Sequence, residues 1–145
     1  MSACHRQALL EAPVERIWEL VGNPARHPEW WPRVIEVHGE RFNMNDEYVQ
    51  VTKTPFGTEE QTNFAIERLE DLREVRMRCV KSGLYAHWLL TPAQDGTFVD
   101  LEMGMDPQTL PDRMFDRVAG RPYFRRWAES SIDGLRDAAV PTPAA

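Results

Sequence analysis

Few side chains in this sequence could move a proton or hold an oxyanion, and none stands in a spacing that marks a catalytic set. Arg68, Tyr85 and His87 come first. Arg68 continues the alternation of Phe64 and Ile66, so a regular strand brings it, with Thr62, to the face those apolar residues share. A guanidinium buried there needs an acidic or carbonyl partner and is able to hold a ligand oxygen. The competing reading ends the strand before Arg68 and leaves the side chain in water, and the apolar Leu69 next to it points the same way. Tyr85 and His87 also depend on parity. With Trp88 and Leu90 inward, His87 lies on the outer face beside Arg76, Arg78, Asp100 and Glu102. With the parity reversed, Tyr85 and His87 become the best general acid–base candidates, but Trp88 and Leu90 are then exposed.

The other reactive residue types decide little. His5, His27, His38 and His87 show no metal-ligand spacing, and no His-Glu-x-x-His is present, so no metal is expected. Cys79 reads as an inert buried thiol, since nothing near it in sequence would depress its pKa. There is no Gly-x-Ser-x-Gly elbow and no phosphate-binding glycine loop, and no cofactor is expected.

The elements that must carry these residues are legible from periodicity. "CHRQALLEA" reads as a strand, and Pro13 suits the first position of a helix. Val14, Ile17, Trp18 and Val21 then mark one buried helical face, and Gly22 a left-handed stop. Asn23-Pro24 opens a second helix that Pro28 and Pro32 keep short. From Arg33 to Asp106 six strand-like segments are separated by "FNMNDE", "TPFGTE", "LEDLRE", "KSG" and "PAQDG". Val75, Met77 and Cys79 alternate with Arg76 and Arg78; Val99, Leu101, Met103 and Met105 alternate with Asp100 and Glu102. Such alternation describes an antiparallel sheet with one packed face and one wet face. Phe124, Trp127, Ala128, Ser131, Leu135 and Ala138 form the apolar stripe of a last helix. "LPDRMFDRVAG" before it is also helical, with Gly120 and Pro122 expected to kink or break the connection. The fold class is α+β, in the order strand, two short helices, six strands, long helix.

The whole chain sets further bounds. Its 145 residues, 42% of them hydrophobic, suit one domain over residues 1–139, with a small, Pro-containing tail at 140–145 expected to be disordered. A net charge of −6 without a basic run argues against nucleic acid as a partner. No apolar stretch is long enough to span a bilayer, so no membrane insertion is expected. "MSACHRQALLEAP" lacks the apolar segment of a secretory signal, and Cys4 and Cys79 are too few for a disulfide framework; a cytoplasmic location is expected.

"HPEWWPRV", residues 27–34, places two adjacent tryptophans between prolines. The stretch containing it, "APVERIWELVGNPARHPEWWP", resembles the opening of the START-like (SRPBCC) superfamily, in which an Ala-Pro starts the first helix and a Trp-Pro closes the second. "AHWLLTPAQDGTFVDLEM" resembles that superfamily's last hairpin, and "WAESSIDGLRDAA" the end of its long helix. The likeness covers nearly the whole chain and lies nearest the polyketide cyclase/dehydrase-like branch. It implies the helix-grip fold, a curved antiparallel sheet of about seven strands wrapped around the C-terminal helix, with a cavity between them. Trp30 and Trp31 would then sit at the lip, one plugged into the core and the other near the entrance. The ligand would meet Phe64, Ile66, Met77, Cys79, Trp88, Leu90, Val99, Leu101 and Met103 from the sheet, and Phe124, Trp127 and Ser131 from the helix. Cyclases of this fold use an arginine from a comparable strand, which Arg68 resembles in rough position. The region "KSGLYAHW" is shorter here than in those enzymes.

Three readings stay open at this point. The apolar lining and the shortage of placed polar groups favour a protein that binds a hydrophobic or aromatic small molecule, lipid- or polyketide-like. A cyclase or dehydratase using the cavity as a mould would need few catalytic groups, with Arg68, Tyr85 and His87 to suspect. An interaction module would instead show an exposed Trp and Phe56 as a surface patch. The chain is expected to be a monomer or a homodimer.

Overall fold

The alternating segments form a single seven-stranded antiparallel sheet in a computed structural model that describes residues 2–39 and 41–140. β1 (Ser2–Leu10) is followed by α1 (Val14–Val21), a 3₁₀ turn (Pro24–Arg26) and α2 (His27–Trp30). Then come β2 (Val34–His38), β3 (Glu47–Lys53), β4 (Glu59–Glu70), β5 (Glu74–Cys79), β6 (Leu84–Ala93) and β7 (Gly96–Met105). β2 to β7 are neighbours in chain order, and β1 returns to pair with β7 along its whole length. α3 (Leu110–Phe115), a π-helical segment (Asp116–Gly120) and α4 (Arg121–Ala139) close the chain as one uninterrupted helical rod. α4 packs across β1 and β7, with α1 and α2 against its far end. This is the helix-grip arrangement.

Several local expectations change. Pro13 is the cap of α1, not its first residue, and keeps an extended backbone at φ −67° and ψ 155°. Gly22 is not left-handed, with φ −84°. Its reason is space: a β-carbon there would stand 2.3 Å from the Trp18 ring. Asn23 does cap the next turn, its side-chain oxygen accepting from the Ala25 N–H at 3.2 Å. Gly120 and Pro122 do not break the last helix. The turn widens into a π segment that takes up the proline, whose missing N–H would otherwise leave a gap in the ladder. Of the expected tail, Val140 is placed, its N–H closing α4 on the Arg136 carbonyl at 2.9 Å; residues 141–145 lie outside the described residues.

β4 carries an irregularity that resets its parity. Ile66 faces Met77 in the register, but after a bulge Arg68 faces Arg76 and Leu69 faces Val75. One extra residue thus turns Leu69 toward the core and Arg68 to the outside.

Candidate functional site

The interior between sheet and helix divides into two parts with different packing. At the α1–α2 end an aromatic cluster fills it. Trp30 and Trp31 stack with ring centroids 5.4 Å apart and planes 8° from parallel, and both meet Trp88 edge-on at 5.5 and 5.4 Å. His27 sits edge-on to both, 5.6 Å from Trp30 and 5.0 Å from Trp31. The four-residue α2 makes this possible. It ends at Trp31, whose extended backbone (φ −92°, ψ 109°) lets adjacent rings lie on one side. Indole N–H groups tie the cluster to carbonyls: Trp30 Nε1 donates to Leu20 at 3.2 Å, and Trp127 Nε1 to Pro32 at 2.7 Å. His27 Nε2 contacts the Val21 carbonyl at 2.9 Å, and burial pulls the imidazole pKa down to about 4, the carbonyl partly opposing it.

The lip expectation for Trp30 and Trp31 is therefore corrected. Both are buried, and neither stands at an entrance. Ile66, Met77, Trp88, Leu90, Val99, Leu101, Met103, Trp127 and Ser131 share that interior, none of them more than 5% exposed. The Ser131 hydroxyl is occupied within its own helix, donating to the Trp127 carbonyl at 2.6 Å.

The other end is open. A cleft of about 350 Å³ lies between the β3–β4 hairpin, the ends of β5, β6 and β7, and the helical rod. Phe64, Cys79 and Phe124 from the sequence-derived set line it, joined by Leu84, Met105, Phe115 and Tyr123. Thr54, Thr62, Ser82, Glu60 and Asp112 supply its polar margin. The hairpin wall is pinned by Arg33, whose guanidinium donates to the Lys53 and Thr54 carbonyls at 3.2 and 2.6 Å and stands 5.2 Å over the Tyr123 ring. Burial pushes the Tyr123 hydroxyl pKa up, and Arg33 partly offsets it. Tyr123, Leu84 and the "TPFGTE" turn were not singled out as ligand contacts from sequence. An aromatic at the tip of a hairpin turn, Phe56, was the available signal.

The three residues suspected of chemistry lie elsewhere. Arg68 is exposed, because of the bulge. His87 is on the outer face, where its Nε2 meets Glu74 Oε2 at 2.5 Å. Tyr85 shares that face yet is buried, its ring 4.4 Å beneath the Arg76 guanidinium and its hydroxyl close to Gly104. Arg76 also holds Glu67 at 3.2 Å, and Glu67 holds Arg78 at 3.1 Å. This outer network is a covered aromatic under a charge ladder, separated from the cleft by the sheet. The surface-patch reading also changes: Phe56 is exposed, but the tryptophans of "HPEWWPRV" are not.

A family described as "Polyketide cyclase / dehydrase and lipid transport" matches residues 3–140. The chain belongs to this family. Its description joins polyketide chemistry to lipid transport, and both handle hydrophobic molecules. Solved structures of the same fold match the family domain along almost its whole length. TTHA0849 from Thermus thermophilus is 15% identical with a TM-score of 0.74, covering 98% of this chain and 99% of its own. CV1439 from Chromobacterium violaceum is 16% identical with a TM-score of 0.70, covering 97% and 99%. The di-domain ARO/CYC StfQ of the steffimycin biosynthetic pathway is 18% identical with a TM-score of 0.69, and the match spans 94% of this chain but 48% of that one. At these identities the likeness establishes the fold. No curated protein matches the chain. Among the described residues no helix is long and apolar enough to cross a membrane.

Proposed function

We propose that this chain binds a hydrophobic or aromatic small molecule in the cleft between the β3–β4 hairpin, the sheet end and the start of α4. The observation that carries this reading is the lining. Phe64, Leu84, Met105, Phe115, Tyr123 and Phe124 converge on one opening of about 350 Å³, with threonine and serine hydroxyls, Glu60 and Asp112 at its margin. Volumes of this order suit small ligands held mainly by apolar contact. The packed tryptophans at the other end limit the guest to a compact fused-ring system or a medium-length acyl chain, since the helix-grip interior is already filled there.

The test is calorimetry with anthraquinone and with decanoic acid on the protein and on cleft-filling variants. Thr62→Trp and Ser82→Trp are expected to weaken whichever ligand binds by tenfold or more, the order expected when a shaped apolar pocket is lost. Undiminished affinity in both filled variants, or no affinity for either ligand in the parent protein, would sink the proposal.

A cyclase or dehydratase is the second reading, favoured by Tyr123, whose ring faces the cleft under Arg33. In that reading Tyr123 would be the group to transfer a proton, and Glu60 and Asp112 the available carboxylates. Tyr123→Phe would then abolish turnover of a polyketide-like substrate and leave its binding intact.

A further inference from the structure

The cleft opens onto an apolar surface that the fold leaves uncovered. Phe56, at the hairpin tip, is 82% exposed, and on the facing rod Leu110 is 70%, Met114 60% and Val118 82% exposed. The helical segment α3 has no buried residue at all. Phe56 and Phe115 stand edge to face at 6.2 Å across the mouth, and a shallow groove of about 700 Å³ runs outward from them past Met114, Val118 and Pro122. Contiguous exposed apolar side chains rimmed by polar residues mark an interaction site.

The charges around it have an unusual distribution. Five of the chain's arginines, Arg113, Arg117, Arg121, Arg125 and Arg126, fall within this stretch of the rod, against only Asp112 and Asp116. All five are exposed, and among the described residues none makes an ion pair. Of the ten arginines elsewhere, seven, Arg6, Arg16, Arg26, Arg73, Arg76, Arg78 and Arg136, each hold a carboxylate, and Arg33 donates to backbone carbonyls. Arg113, Arg117 and Arg121 recur every four residues and line one groove beside the apolar strip, while Arg126 borders it on the other side. Asp116, in the same stretch, is turned inward to receive the Ser2 N–H at 3.1 Å.

We infer that this face docks on an anionic lipid surface, with Phe56, Leu110, Met114 and Val118 entering the acyl boundary and the arginines meeting headgroup phosphates. A basic rim around exposed apolar side chains is what interfacial binding requires. The net charge of −6 keeps the rest of the molecule away from such a surface, so the rim also sets the orientation. The cleft mouth would then open onto the acyl phase, a path by which a hydrophobic guest avoids water. Docking of this kind is peripheral and needs no spanning helix. The inference rests on the ligand reading only for its purpose, and the docking itself is read without a ligand.

The experiment is flotation with vesicles of phosphatidylcholine alone and of phosphatidylcholine with phosphatidylglycerol in equal parts. The protein is expected to float with the anionic vesicles, to float poorly with the neutral ones, and to be released by high salt. Arg117→Ala and Arg121→Ala should each lower the vesicle partition about fivefold, and Val118→Asp should lower it further. Arg73→Ala, the same charge change on the far hairpin, should leave it unchanged. Absence of flotation with anionic vesicles overturns the inference, as does an equal loss in Arg73→Ala. A dimer in light scattering that Val118→Asp dissociates, without flotation, would assign the face to a second copy of the chain instead. Flotation without binding of anthraquinone or decanoic acid would keep the docking face and remove the ligand reading.

Discussion

Gly134 and Trp30 meet backbone to backbone: a β-carbon on Gly134 would stand 2.2 Å from the Trp30 carbonyl oxygen. A glycine inside a helix weakens that helix by about 1 kcal/mol relative to alanine. Here the missing side chain lets α2 lie directly on α4 and sets the height at which the Trp30 and Trp31 rings enter the interior. Gly134→Ala therefore opposes two effects. The helix gain of about 1 kcal/mol competes with displacement of a packed backbone, which costs about 1–3 kcal/mol. We expect a net loss of stability in urea unfolding. An equal or higher midpoint would show that α2 moves freely over the helix.

Trp30→Ala should behave as a core truncation. With its ring stacked on Trp31 and edge-on to Trp88, loss of the indole is expected to cost about 3–5 kcal/mol. Ligand affinity of the fraction that remains folded should change little, because the ring does not line the cleft. A stable variant with greatly weakened binding would return Trp30 to the binding site.

His27 should make the protein acid-sensitive. Its pKa is about 4 in the fold, against an ordinary value of 6.5, because burial disfavours the imidazolium. The unfolded chain binds the proton more readily, so stability falls as pH drops through 6.5 and stops falling near 4. The loss amounts to roughly 3 kcal/mol over that interval, at 1.36 kcal/mol per pKa unit. Urea midpoints at neutral and mildly acidic pH would show it. His27→Gln, less stable at neutral pH, should lose this component of the slope, and an unchanged slope would place the sensitivity elsewhere.

Arg76 and Arg68 should separate cleanly on the outer face. Arg76→Ala uncovers the Tyr85 ring and leaves Glu67 with Arg78 as its one ion-pair partner among the described residues, and should cost about 1 kcal/mol. Arg68→Ala, at an exposed bulge position, should stay within about 0.5 kcal/mol. A large effect of Arg68→Ala on ligand binding would contradict its outward placement.

The fold was legible because its signals are periodic. Val75, Met77 and Cys79 alternate without interruption, and the stripe from Phe124 to Leu135 holds helical spacing, so the succession of strands and the buried face of α4 follow from counting, while the wrapping of the sheet around that helix follows from the family resemblance. The site was less legible because each of its determinants is an exception to a period. A single extra residue after Ile66 reverses the direction of Arg68, and no residue type there announces a bulge. Adjacent tryptophans were expected to diverge, as they do along a strand or helix, but a helix of four residues that ends between them lets both rings turn the same way. The cleft is formed by turn residues such as Thr54 and Phe56, which alternation does not reach. Tyr123 was hidden for a related reason: it precedes the first residue of the stripe and faces sideways into the opening.

The π-helical segment at Asp116–Gly120 has a consequence for how the last helix can change. It holds one residue more per turn than the α-helical stretches on either side. The rod is therefore two helices with their angular phase offset, each serving a different neighbour. Downstream, the phase keeps Phe124, Trp127, Ser131 and Leu135 against the sheet. Upstream, it aims Leu110 and Met114 outward, and within the segment itself Val118 faces outward and Asp116 meets Ser2. Excising a single residue from the segment would let the ladder run straight and swing everything before it by about 100°, one residue's turn of an α-helix. The outward face could thus be redirected by a one-codon deletion while the core-facing part of the helix kept its seat.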